Sequence, residues 1–371
     1  MFMKLRARPF ASLVLGSLVL FPMHSLPFAQ SVTSNAPPRD PGVVHIGVLG
    51  LFHPHQLTVS VPAGNALVLR TAEERIVLER SSGMDSAAIR ISAGAILLSA
   101  GSRTVHASEV IITGRKNDPV DFVLSVPGKI TRHYRGRLTV QPSDGSLTAI
   151  VTMDRETAVA SVVAAESASE TPVEALKAQA VATRSYFVAG GGRHHDFDFC
   201  DTTHCQFLRE PPPPESATAR AVAATRDLVL THESQPFAAM YTRSCSGRTH
   251  TPAELGLPSS TYPYFSVECK YCRAHSVRWT SRIPARNGAG LHSSDESARL
   301  SLDRRLGWSA IQSNDFVAQN DGGEIIVHGT GQGHGIGLCQ SGARALAEDG
   351  ATFQKILSHY YPGTKIARSP V

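Results

Sequence analysis

Residues 157–189 read TAVASVVAAESASETPVEALKAQAVATRSYFVA, and this stretch decides the fold. Thr157–Ala165 is small and apolar and reads as a helix that ends at Glu166. A short break follows, and then Thr171-Pro172-Val173-Glu174. Thr171 is placed to cap a second helix, Pro172 suits a first helical position, and Glu174 three residues on completes a capping box. Val173, Leu176, Ala180 and Phe187 fall near one face, and Gly190-Gly191-Gly192 stops the helix after Ala189. Two packed helices with an acid at their junction therefore sit near the middle of the chain.

Upstream the texture is different. From Val43 to about Val151 short β-branched runs are separated by Gly, Asp and Ser. Val43–Leu51, Gln56–Val61, Ala66–Arg70, Arg75–Leu78, Ala87–Ile91 and Val110–Ile112 read as strands. Leu138–Val140 and Leu147–Thr152, joined by Pro142-Ser143-Asp144-Gly145, read as a hairpin. Downstream, Pro211–Pro214 breaks the chain and Ala217–Thr225 reads as a helix. Residues 277–327 carry weak signals and are read as an insertion of helix and loop. The tail has a Gly-rich loop, a helix at Ser341–Glu348 and another at Phe353–Tyr360. The fold class expected is α+β: a β-rich region 43–152, then a mixed α/β region 153–371 with the Gly-rich loop and C-terminal helices.

The first residues read as a targeting signal. Lys4, Arg6 and Arg8 precede an apolar run from Phe10 to Phe21, then a polar break and Ala29, although Pro27 stands where a cleavage site has a small residue. Residues 1–29 are taken as a signal peptide and 30–42 as a linker; a retained anchor is the alternative. Export to a periplasm or cell wall follows, with no membrane contact once the signal is removed. The formal charge of +5 falls to +2 when Lys4, Arg6 and Arg8 leave. That gives no electrostatic case for nucleic acid as a partner.

Four groups of residues carry chemistry. Glu166 follows Val162-Val163-Ala164-Ala165, apolar neighbours that would strip its carboxyl of water, although the local sequence by itself favours a solvated carboxylate at a helix end. Desolvation raises a carboxyl pKa, which suits a general acid near neutral pH. Second, His194, His195, Cys200, His204 and Cys205 lie within twelve residues. Four nitrogen and sulfur ligands suit a closed, structural zinc site, with a Cys200–Cys205 disulfide as the alternative. Third, Cys245 and the pair Cys269 and Cys272 are expected to form one disulfide in an oxidising compartment, Cys245 with either partner. A metal site that also uses Cys339 ranks below it. Fourth, residues 329–342 hold six glycines, which allow unusual backbone angles and close approach of a ligand. Gln332 and His334 within that loop could face a cleft, with a tight structural turn as the alternative reading. The loop lacks the lysine of a phosphate-binding loop, which excludes nucleotide binding.

Taken together these segments resemble the stage II sporulation protein D family (SpoIID/LytB). The resemblance rests on Tyr134-Arg135-Gly136, on Val162–Glu166 with Glu174–Tyr186, on Cys200–Gln206, on Ser244–Gly247, and on Gly333–Gly337 with His359–Thr364. It covers residues 130–275 and 328–366, about half the chain. It implies a lytic transglycosylase that cuts peptidoglycan glycan strands, favouring strands stripped of peptides. The catalytic acid of the family falls on Glu166, and its zinc ligands fall on Cys200, His204, Cys205 and an upstream histidine, His194 before His195. Tyr186, Gln332 and His334 are expected to bind substrate. The chain departs from the pattern at Glu166-Ser167-Ala168, where the family usually has Glu-Met-Pro, and at Cys245-Ser246-Gly247, where it usually has Ser-Gly-Gly. Two other functions compete. One is a non-catalytic glycan-binding enhancer whose partner is a cell-wall amidase. The other is a zinc hydrolase, which a closed four-ligand site disfavours.

Overall fold

The computed structural model describes residues 42–192, 194–258, 260–288, 291–307 and 309–369. The expected signal peptide and most of the linker lie outside them. Among the described residues no helix is long and apolar enough to cross a membrane.

Asp144 and Gly145 both have positive φ, 47° and 76°, the geometry that lets a two-residue turn follow the twist of its strands. Their hairpin joins Ile130–Ser143 to Ser146–Asp154, with Ser143 opposite Ser146. The first of these strands has 14 residues and serves two neighbours. Its beginning pairs with Val120–Val126 and its later part with Val110–Thr113, so the sheet curls around it. The sheet runs on through Gln56–Ser60, Ser86–Ser92, Ala95–Ala100 and Arg103–Ala107. Alternation sends Leu57, Val59, Ile89, Ile96, Leu98, Phe122 and Leu124 inward. The strands at Val120–Val126, Ala95–Ala100 and Arg103–Ala107 are additional to those read from sequence. The last is an edge strand with only Val105 buried, which is why its pattern is faint.

Among the described residues seven α-helices follow: α1 Arg155–Glu166, α2 Val173–Ala189, α3 Ala217–Ala224, α4 Lys270–Ala274, α5 Glu296–Leu306, α6 Gln340–Glu348 and α7 Phe353–Tyr360. Strand Ser146–Asp154 runs straight into α1, because the Asp154 carboxylate accepts from Thr157 N at 3.0 Å and caps it. Val159, Val162 and Val163 of α1 then pack on the same core as the sheet. Ala178, Ala180 and Ala182 keep α2 narrow, so neighbours can approach it closely.

Arg184 of α2 is fully buried. Its Nε and Nη2 donate to the two oxygens of Glu156 in α1, at 2.7 and 2.6 Å. Its Nη1 donates to Leu228 O at 3.0 Å, at the start of strand Leu228–His232. One guanidinium thus joins two helices and a strand.

Two expectations need correction. No capping box forms at α2, where Pro172 is the N-cap with no side-chain bond. The Glu174 carboxylate instead pairs with Lys177 at 2.6 Å and accepts from Phe353 N at 2.7 Å, capping α7. The orphan N–H groups of a helix start attract a carboxylate, and here those of α7 are in reach. The middle segment is not helix and loop alone. Arg278–Pro284, Glu324–Thr330 and Asp315–Asp321 form a three-stranded antiparallel sheet backed by α5. It has its own small core of Trp279, Ile283, Leu302, Ile311, Ile325 and Val327. Asp315–Asp321 is mostly exposed, so it carries little alternation to read.

Breaking the Arg184–Glu156 pair from one side leaves a buried, uncompensated charge. Arg184→Met should cost about 3–5 kcal/mol in denaturant unfolding, and Arg184→Met with Glu156→Met should regain most of that. A double variant no more stable than the single would mean the charge pair itself is required.

Candidate functional site

Glu166 is the last residue of α1, and the helix closes behind it with Ser167 N donating to Val163 O at 3.0 Å. The carboxyl is half-buried, and burial raises its pKa. The partial negative charge of a helix C-terminus acts in the same direction. A hydrogen bond from Gln340 Nε2 to Glu166 Oε2 at 3.4 Å and the charge of Arg243 oppose the rise without cancelling it.

Glu166 opens onto a cavity of about 1110 Å³. Tyr186, Gln332 and His334 line it too, so the structure places all four expected catalytic and substrate-binding residues on one groove. The Gly-rich loop brings the last two there. Gly331, Gly333, Gly335 and Gly337 all have φ between 73° and 97°. At Gly337 a Cβ would run into the Met240 carbonyl, so the loop can lie on its neighbour only with glycine there. Burial pushes His334 down to about 4, so its ring is neutral at pH 7. Its Nδ1 accepts from Ile336 N at 3.0 Å, which puts the remaining ring proton on Nε2.

Sequence reading missed four residues of this groove: Gln206, Tyr241, Arg243 and, beside Glu166, Gln340. Tyr241 donates to Gln206 Oε1 at 2.8 Å, and Gln206 Nε2 donates to Thr183 O at 3.2 Å. Burial raises the Tyr241 phenol well above its ordinary value, and the Glu166 charge adds to that. Gln206 and Gln340 lie inside or next to the motifs quoted above, which was the available signal. Opposite stands the inserted unit, with Glu296, Arg299 and Asp303 on the wall. Arg299 binds both acids, at 2.7 Å to each Glu296 oxygen and 2.9 Å to Asp303 Oδ2.

His204 and Cys205 also line the groove. They belong to a group with His194 and Cys200 whose ligand atoms all lie within 4.8 Å of one another and could hold a metal ion. His194 Nε2 is 3.3 Å from Cys205 Sγ, and His204 Nδ1 is 3.7 and 3.6 Å from the sulfurs of Cys200 and Cys205. His195 takes no part: its side chain is 99% exposed and pairs with Asp196. The Cys200 thiol is lowered to about 3, chiefly by its hydrogen bond with Cys205 and then by His204 and Thr202, which favours the thiolate that binds metals.

The sheet holds this loop in place. Phe199 and Cys200 pair in parallel with Ile46 and Gly47. A Cβ at Gly47 would strike the Phe197 ring, and Phe197 in turn stacks on His194 at 4.4 Å. Asp201 accepts from Leu49 N at 3.1 Å and Tyr134 Oη at 3.4 Å. All six cysteines are free thiols, so the disulfide expected at Cys245 is not formed. Cys245, Cys269, Cys272 and Cys339 form a second buried group instead.

Residues 143–232 match the family model SpoIID, described as stage II sporulation protein. The resemblance is to the SpoIID family. The matched segment contains Glu166, both helices around it and the His194–Cys205 group. A stage II sporulation protein D of Bacillus amyloliquefaciens is 28% identical over 261 residues, covering 57% of this chain and 73% of its own. An uncharacterised protein of Brachyspira hyodysenteriae is 27% identical over 267 residues, 63% of this chain and 72% of its own. An amidase enhancer of Bacillus subtilis is 39% identical over 65 residues, which are 18% of this chain and 9% of that protein. The inserted unit at 277–327 and the Gly-rich loop lie outside the SpoIID model's match.

A raised carboxyl pKa has a cost that can be measured. The folded chain holds the Glu166 proton more tightly than the unfolded chain. Its contribution to stability is therefore complete below the unfolded value of about 4.3 and is lost as pH rises through the folded value. Glu166→Gln should leave the melting temperature unchanged near pH 4 and raise it near pH 7.5. A variant less stable than the parent at pH 7.5 would refute desolvation as the cause.

Proposed function

We propose that this chain is a lytic transglycosylase of bacterial cell-wall peptidoglycan with Glu166 as its acid and base. The observation that carries this is Glu166, a carboxyl whose pKa burial raises, on the wall of a cavity of about 1110 Å³. The other two acids on the groove wall are engaged by Arg299. Ordinary glycosidases need a second free carboxylate, as nucleophile or as activator of water. A muramic acid residue brings its own nucleophile. Protonated Glu166 would give its proton to the departing glycosidic oxygen. As carboxylate it would then accept the proton of the muramic 6-hydroxyl while that oxygen attacks the anomeric carbon. A 1,6-anhydro ring closes, no water is consumed, and Glu166 ends protonated as it began. Neutral His334 and the largely buried Tyr186 line the same groove and would shape the sugar subsite around Glu166.

The His194, Cys200, His204 and Cys205 group fits zinc. A tetrahedron with metal–ligand bonds of 2.0–2.3 Å has edges of roughly 3.3–3.8 Å, and the three separations given above fall in that span. Two thiolates and two imidazoles leave no position for substrate, so the ion would hold the loop that carries Gln206 rather than take part in cleavage. Export, with residues 1–29 as signal peptide, places the protein in a periplasm or cell wall.

A second reading has its own support, the similarity to an amidase enhancer. In that reading the groove holds glycan while a cell-wall amidase does the cutting. The two separate on peptide-free glycan strands analysed by mass spectrometry. The transglycosylase should release 1,6-anhydromuramic ends, and Glu166→Gln should cut at least about 100-fold more slowly. Its rate should also fall on the alkaline side as Glu166 loses its proton, and Gln340→Leu should move that limb to higher pH. Bound but uncut strands with both proteins would favour the enhancer.

A further inference from the structure

Cys245, Cys269, Cys272 and Cys339 come from three separate stretches of chain, yet their sulfurs all lie within 4.8 Å of one another. All four residues are buried. Cys272 Sγ and Cys339 Sγ are 3.5 Å apart. That is far beyond the roughly 2.05 Å of a disulfide. It is near the edge of about 3.8 Å expected for a tetrahedron of sulfurs around zinc. Cys269 and Cys272 bracket the first turn of α4, so a two-residue spacing turns both sulfurs to one point.

The surroundings suit thiolates. Backbone N–H groups of Cys245 and Gly342 both point at Cys339 Sγ, at 3.3 and 3.4 Å. Tyr360 Oη lies 3.5 Å from Cys269 Sγ, and Ser244 Oγ 3.5 Å from Cys272 Sγ. Donors around the sulfurs are the usual outer layer of a metal site. A Cβ at Gly342 would collide with Tyr360 Oη and Cys269 Sγ, so the backbone there has been brought in as close as glycine allows.

We propose that these four cysteines form a second, structural zinc site that clamps the groove from behind. Cys339 caps α6 and directly precedes Gln340, the residue that donates to Glu166. Leu338 and Cys339 pair with Tyr241 and Thr242, and Arg243 O accepts from Ser341 N at 3.1 Å. The ion would therefore fix Tyr241, Arg243 and Gln340 relative to Glu166. This positioning role rests on the reading of Glu166 given above, whereas the metal site itself does not.

The test counts zinc per chain by native mass spectrometry and elemental analysis. It uses the purified full chain, Cys200→Ser and Cys272→Ser. Cys200→Ser disables the first group and should keep one zinc, bound by the four cysteines. Cys272→Ser should lose one zinc relative to the parent. The parent alone gives a second reading if a variant does not fold. After denaturation with a chelator and no reductant, all four cysteines should be alkylated. No zinc on Cys200→Ser, or cysteines that resist alkylation until reduced, overturns the site, the latter meaning two disulfides. If the site stands, Cys272→Ser should cut glycan at least tenfold more slowly, with its alkaline limb moved to higher pH as Gln340 loses its hold. An unchanged rate and pH profile would refute the clamp. A parent that binds the second zinc but never cuts glycan would sink the transglycosylase reading and leave this metal site intact.

Discussion

A guanidinium buried out of reach of water is costly unless every donor is met and the charge is balanced. Arg184 meets that demand with Glu156 and with backbone carbonyls of Val222 and Leu228. The partners lie on different elements, so they can satisfy the cation only when all are docked together. Glu156 is in the first turn of α1 and Glu166 ends the same helix, about 15 Å further along at 1.5 Å per residue. Anchoring one end of a rigid helix places the other. Glu156 also sits where a helix start favours a negative charge, so the pair is supported from both sides.

The groove balances opposing influences on one carboxyl. Burial and the helix end favour the protonated form, while Gln340 and Arg243 favour the anion. In the proposed function the acid first gives a proton and then takes one back, which needs both states within reach at a single pH. The neighbours that supply this balance belong to stretches more than seventy residues further along the chain. The site is therefore a property of the packed molecule and not of the α1 segment alone.

What could be read in the sequence was mostly local. The Asp144-Gly145 turn, the end of α2 at Ala189 and the start of α7 follow from a few adjacent residues, and the structure has them. The environment of Glu166 was not decided locally: the segment by itself favoured a solvated helix end, and packing buries the carboxyl instead. The box expected at Thr171 and Glu174 failed because Glu174 found better-placed donors at Phe353, 179 positions away. His194 and His195 looked alike, and only the stacking of Phe197 on His194, permitted by Gly47, separates them. Tyr241, Arg243 and Gln340 carried no local mark, since their importance comes from strand pairing between Tyr241–Thr242 and Leu338–Cys339. The convergence of Cys339 with the cysteines near 245–272 ranked only second in the sequence for the same reason.

The unit at 277–327 fills its interior with its own residues, around Trp279 and Leu302. Its face toward the groove is polar, built on the Arg299 network. Such a module can change in sequence without disturbing the helices that hold Glu166. Divergence between related chains can therefore concentrate there, reshaping one wall of the groove while the packing around Glu166 is inherited unchanged.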